Sequence, residues 1–196
     1  MISETLQPVK ELNEDEMGLI QWIKFKGWFI FDLPYFIKER QFKKGLELGA
    51  KAGRSMYRVL KANKDIHLTG IDLWIPMDGS AYKKNAQNET KCRRKLHSFS
   101  NRTTLIKGDA KEIAEEIENE TYDFIFYDLQ CSSMSDFHRD MIQRWLPKIK
   151  KGGLLIGRDF RDFRESIYRL GFEERDIHQC TIGKRVSERL EYIVVR

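Results

Sequence analysis

Cysteine is scarce in this chain of 196 residues: only Cys92, Cys131 and Cys180 occur, far apart and odd in number. None has the short spacing of a structural metal site, so they read as reduced thiols of an intracellular protein. Long apolar runs are missing as well, and nothing approaches the ~20 residues that span a bilayer. The opening stretch, MISETLQPVKELNEDE, is acidic and polar, unlike a secretory signal. Internal repeats and low-complexity tracts are absent. The expectation is a cytoplasmic protein with no membrane partner.

What is present is a soluble globular composition, 41% hydrophobic and 33% charged. The length suits one domain, with an N-terminal extension over 1–42 and a core over 43–196. The net charge of +5 is uneven. Residues 1–20 hold five acids against Lys10, whereas 83–102 hold seven Lys/Arg against Glu89. That basic segment is either a solvated helix surface or a phosphate-binding face. Residues 11–40 are rich in aromatics, among them Trp22, Phe25, Trp28, Phe29 and Phe31. They suit a helix packed on the core or a lid over an apolar pocket.

After residue 43, short apolar runs alternate with helix-like segments. Strands are expected at 44–49, 66–72, 103–107, 122–128, 153–158, 173–178 and 189–195. Helical stripes run through 110–119, through Met134, Phe137, Met141 and Trp145, and through Phe163, Ile167 and Leu170. Asp78-Gly79, Lys107-Gly108, Gly152-Gly153 and Gly171 are the expected turns. This alternation predicts an α/β fold, a mostly parallel Rossmann-like sheet with helices on both faces. The last two strands have no long helix between them, so TIGKRVSER predicts a hairpin and an antiparallel final strand.

The first strand runs into LELGAKAGRS. Gly49 permits a sharp turn and Gly53 a close helix start, at the strand end where open sheets bind ligands. A dinucleotide site needs G-x-G-x-x-G, but Lys51 occupies the middle glycine's place and the Glu47 carboxylate would repel a pyrophosphate. A ligand with a cationic amino acid end and an adenosine end fits better. Asp72 ends the second strand about twenty residues on, where an acid bonds ribose hydroxyls, and Trp74 offers a flat face for a purine. Asp109 at the third strand's end suits a helix N-cap or a contact to adenine, the latter through the Ala110 amide.

Glu47, Gly49 and Gly53, followed by Asp72, Asp109 and Asp128 at successive strand ends, resemble the class I S-adenosylmethionine-dependent methyltransferases. WLPKIKKGGLLIGRDF adds a helix, a glycine turn and a fifth strand of the same kind, so the resemblance covers about residues 43–160. Within that superfamily the chain is most similar to the small O-methyltransferase-like group. The resemblance implies a seven-stranded sheet with the seventh strand antiparallel. It also implies a cofactor pocket of Glu47, Gly49, Ala50, Lys51, Gly53, Ser55, Asp72, Leu73, Trp74, Asp109, Ala110 and Asp128, with S-adenosylmethionine as cofactor.

The fourth strand ends FYDLQCSS and lacks the Asn/Asp-Pro-Pro-aromatic run of enzymes that methylate base amino groups. A small-molecule hydroxyl is therefore the expected acceptor, with RNA, bound through 83–102, as the alternative. A homodimer is compatible with the sequence. Asp128 and Asp159 hold the positions of the acidic pair in metal-assisted O-methyltransferases, which implies either a divalent cation such as Mg²⁺ or a metal-free site with Asp128 as base. Related sequences often carry a histidine just after the first aspartate; here Cys131-Ser132-Ser133 follows. His138 is the nearest candidate, read either as a catalytic base or as a surface histidine. A cofactor-binding module without catalysis is the third reading.

Overall fold

The computed structural model describes residues 32–75, 85–129, 135–158, 161–180 and 190–195. The aromatic run over 11–31, the Asp78-Gly79 turn, Cys131, Met134, Asp159 and the TIGKRVSER connection lie outside these residues. In chain order the elements are α1 (Asp32–Glu39), β1 (Lys44–Leu48), α2 (Arg54–Ala62), β2 (His67–Asp72), α3 (Asn85–Leu96), β3 (Thr103–Lys107), α4 (Ala110–Glu116), β4 (Tyr122–Tyr127), α5 (Ser135–Trp145), β5 (Ile149–Arg158), α6 (Arg161–Arg169), β6 (Ile177–Cys180) and β7 (Leu190–Val194).

The strands form one sheet in the order β3-β2-β1-β4-β5-β7-β6. Strands β1 to β5 run parallel, while β7 is antiparallel to both β5 and β6. Side chains alternate across a strand, so each strand feeds two cores. Leu68, Phe124, Phe126, Leu154 and Ile156 pack on one face with Leu33, Ile37, Met56, Val59 and Leu96. Leu46, Leu48, Ile125, Tyr127 and Leu155 pack on the other with Ile113, Met141, Ile142, Trp145, Phe163 and Ile167. Helices α1–α3 thus cover one face and α4–α6 the second. The near-continuous apolar β4 and the apolar centre of β5 follow from burial on both sides.

Two expectations need correcting. Gly152-Gly153 is not a turn before the fifth strand. Strand β5 begins at Ile149 and runs through the pair, with a register shift between Tyr122 and Phe124 on β4. Gly152 has φ 77°, and its amide donates to Val195 O, so the glycines make a bulge that keeps pairing with the end of the last strand. The strand expected at 173–178 begins at Ile177. Glu173 and Asp176 cap each other across a short 3₁₀ turn, and their local hydrogen bonds replace ladder pairing there.

Candidate active site

The strand order reverses between β1 and β4, and the crevice at such a reversal, beyond the carboxyl ends of the strands, is where open α/β sheets take ligands. Both ends are drawn together. The Asp128 amide donates to Leu48 O at 3.0 Å, and the Gly49 and Ala50 amides donate to Ile71 O at 2.9 and 3.2 Å. Gly49 sits at φ 89°, and a Cβ there would lie 2.5 Å from Asp128 O. Its glycine is therefore required by the neighbouring strand end itself, before any ligand is considered. Gly53 has the same kind of reason: at φ 67° it starts α2, and a Cβ would meet Cys92 Sγ at 2.8 Å. It lets α2 and α3 pack closely.

Glu47 is buried, 4% exposed, on the α1–α3 face. The Ser55 hydroxyl, from the first turn of α2, donates to its Oε1. Burial pushes the Glu47 carboxyl well above its ordinary range. The Ser55 bond opposes that shift, and the nearby Asp128 and Asp72 carboxylates reinforce it. The half-buried Asp128 follows β4 directly, with its Oδ1 buried. Asp128 and Asp72 thus act electrostatically on Glu47 at one crevice, an arrangement that favours a cationic group beside it.

Asp72 spans two loops. Its Oδ2 accepts from the Lys51 amide at 2.8 Å and its Oδ1 from the Trp74 amide at 2.8 Å. Trp74, at φ 43°, donates its indole N–H back to Lys51 O at 2.7 Å. The glycine loop after β1 and the loop after β2 are laced together by this carboxylate. Trp74 is only 2% exposed, and Arg93 lies over its ring at 5.9 Å. The indole is a core element here, which differs from a ring with an open face for a purine. Leu73 and Ile75 on either side of it are exposed, at 40% and 46%.

Asp109 caps α4: its Oδ1 accepts from the Lys111 amide at 2.8 Å, and Ala110 is buried behind it. His138 is not on the surface. It is 1% exposed, and Tyr127 Oη lies 2.6 Å from its Nδ1. The pair sits on the α4–α6 face, across the sheet from Glu47. The sequence carried the signal, since His138, Met141, Ile142 and Trp145 share the buried stripe of α5. Its partner Tyr127 was not among the expected site residues; it adjoins Asp128 but points to the opposite face. Among the described residues no three His, Cys, Asp or Glu side chains converge as a metal cluster, and Asp159 lies outside them.

The residues at the crevice fit the cationic amino acid end of S-adenosylmethionine on one observation of this structure. Its carboxyl, Glu47, is held off its charged form chiefly by burial and further by two neighbouring acids, a condition that an arriving ammonium relieves. Among the described residues, no helix is long and apolar enough to cross a membrane.

Residues 46–160, more than half of the chain, match the methyltransferase-domain family. No curated protein matches. Solved structures with the same fold are numerous. A protein of Staphylococcus aureus described as a candidate caffeoyl-CoA O-methyltransferase is 16% identical, with 93% of each chain covered and a TM-score of 0.60. The S-adenosylhomocysteine-bound methyltransferase PaMTH1 of Podospora anserina is 13% identical, covering 96% of this chain and 99% of its own, with a TM-score of 0.62. The O-methyltransferase TomG of Streptomyces achromogenes, from tomaymycin synthesis, is 15% identical over 83% of this chain and 77% of its own, with a TM-score of 0.58. At such identities the likeness carries the fold, and the family match carries the assignment. The chain belongs to the methyltransferase-domain family and has the class I S-adenosylmethionine-dependent methyltransferase fold.

Proposed function

We propose that this protein transfers a methyl group from S-adenosylmethionine to a hydroxyl of a small-molecule acceptor. The observation that carries the reading is Asp128, whose carboxylate stands at the end of β4 with its Oδ1 buried and acts electrostatically on Glu47 in the crevice. The bound cofactor supplies an electrophilic methyl on a good leaving group, so the protein has mainly to align the acceptor and remove its proton. Asp128 takes that proton at its carboxylate. Glu47 holds the cationic amino acid end, Gly49, Ala50 and Lys51 lend backbone, and Asp72 faces the ribose. Ala110 and the exposed Leu73 border the adenine end. Several fold neighbours described as O-methyltransferases support a hydroxyl acceptor.

His138 is a positioning residue in this scheme. Its contact with Tyr127 ties α5 to β4 one residue before Asp128, and its burial keeps it from an acceptor. A divalent ion would need Asp159 beside Asp128. Only Asp128 belongs to the described residues, and no step is derived through a metal.

The test is incubation with methyl-labelled cofactor and a panel of phenolic, catecholic and sugar hydroxyls, with and without excess chelator. A labelled ether product that Asp128→Asn abolishes, with cofactor affinity retained, is the expected result. Absence of any product across the panel and a cell extract would favour the binding-module reading. Full activity in chelator would remove the metal.

A further inference from the structure

The ionic character of the two helical layers differs. On α4–α6 every described basic side chain has a carboxylate partner. Lys111 pairs with Asp140 and Arg139 with Asp136, while Arg144 reaches both Glu115 and Asp140. Arg164 pairs with Glu174, and Arg169 with Asp136 and Glu165. On α2 and α3 the sole acid among the described residues is Glu89, and Lys107 at 2.8 Å and Arg93 at 3.0 Å already occupy it. Lys61, Lys91, Arg94 and Lys95 are exposed, with no carboxylate in ion-pair reach among the described residues.

The packing concentrates this charge. Gly53 lets the start of α2 lie against Cys92 and Leu96 of α3, so the basic side chains of the two helices are crowded into one layer. Arg58 is crowded in the same way: partial burial and the neighbouring Arg54 both act against its charge. Helix α3 has 12 residues and α2 has 9, about 18 and 14 Å long. Such a length spans several phosphates of a nucleic acid strand.

We propose that the α2–α3 face is a docking surface for the phosphate backbone of double-stranded RNA, separate from the acceptor chemistry of the crevice. Three observations select this partner. Among the described residues the exposed large apolar side chains are Leu73, Ile75 and Tyr168, none of them on α2 or α3. An interface with an acidic protein wants an apolar centre, whereas phosphate binding does not. Tyr57 and Phe99 meet each other edge to face at 5.7 Å instead of standing out as stacking platforms for single-stranded bases. Finally, α2 and α3 lie side by side on the sheet, so neither projects into the major groove of DNA. A broad two-helix face suits the wide, shallow minor groove of A-form RNA and its flanking phosphates.

The experiment is fluorescence anisotropy of a labelled RNA duplex of about 20 base pairs. Intact protein is titrated at salt concentrations from about 50 to 200 mM. The expected result is binding whose log K falls linearly with log salt. The triple variant Lys91→Gln/Arg94→Gln/Lys95→Gln should weaken binding at least roughly tenfold at low salt and reduce the slope by on the order of 2–3 units. Arg139→Gln on the paired face should change neither. Melting curves report folding of each variant, and Arg94→Gln alone, with a smaller slope change, stands in if the triple fails to fold. No binding at the lowest salt, or an unchanged slope in a folded variant, overturns the proposal. Equal affinity for a DNA duplex or a single strand removes double-stranded RNA as the partner, and displacement by polyglutamate at matched charge assigns the face to an acidic protein. Methyl transfer is not read, so the outcome is independent of the acceptor.

Discussion

The Ser55 hydroxyl donates to Glu47 across the glycine turn, eight residues back in the chain, and closes the floor of the crevice. A buried carboxyl with one designated donor is sensitive to loss of that donor. Ser55→Ala is expected to destabilise the unliganded protein by about 1–3 kcal/mol, measured by urea unfolding. A change under about 0.5 kcal/mol would mean that Glu47 does not depend on it.

Glu47 also sets a pH dependence. Its carboxyl is raised in the folded protein, chiefly by burial, so the folded state holds a proton that the unfolded chain releases near the ordinary value of 4.5. Its contribution to stability is fully present below that value and is lost as pH rises through the raised folded value. The unliganded wild type should therefore lose melting temperature relative to Glu47→Gln over that rise. A cationic cofactor end reverses the preference, so S-adenosylhomocysteine should bind with release of a proton. Calorimetry in buffers of different ionisation enthalpy reads that proton directly; a buffer-independent heat would count against it.

Asp72 holds the Lys51 and Trp74 amides at once. Asp72→Ala should cost about 1.5–3 kcal/mol of stability for each bond that water does not replace, and should weaken S-adenosylhomocysteine binding at least roughly tenfold. Melting and calorimetric titration measure the two effects separately. Lost stability with unchanged affinity would leave Asp72 a loop anchor only.

Gly49 and Gly152 have similar backbone angles, φ 89° and 77°, but different surroundings. A Cβ at Gly152 meets nothing within 4 Å, whereas one at Gly49 strikes Asp128 O. Gly152→Ala should cost about 1 kcal/mol from its backbone angle alone. Gly49→Ala should cost clearly more and should disturb the unliganded fold as well as the ligand site. Equal losses in parallel denaturation curves would show that the Asp128 contact relaxes freely.

Tyr127→Phe removes the hydroxyl at His138 Nδ1 within a closed core and should cost about 1–3 kcal/mol. If His138 only positions α5, His138→Gln should lower melting temperature with the pH profile of turnover retained. Loss of an ionisation from that profile, with stability intact, would make it the base.

The sequence by itself determined the alternation of strands and helices, because the apolar runs and helical stripes from residue 44 onward have distinct periods. It also pointed to the crevice end of the sheet: Asp72 and Asp128 close the apolar runs of β2 and β4, Glu47 stands one residue before the end of β1 and Asp109 two beyond β3, and a strand's end is a local property. Bulging at Gly152-Gly153 was not legible, since only the partner strand β7 decides whether a glycine pair turns or continues pairing. Nor was the inward set of Trp74, which depends on Lys51 O being delivered from another loop. His138 lay within reach of helical periodicity, but its partner did not, because Tyr127 meets it only once α5 packs on β4. The same holds for the glycines. Their spacing can be read along the chain, while the reason for each, Asp128 O for Gly49 and Cys92 for Gly53, is a contact between segments that only folding brings together.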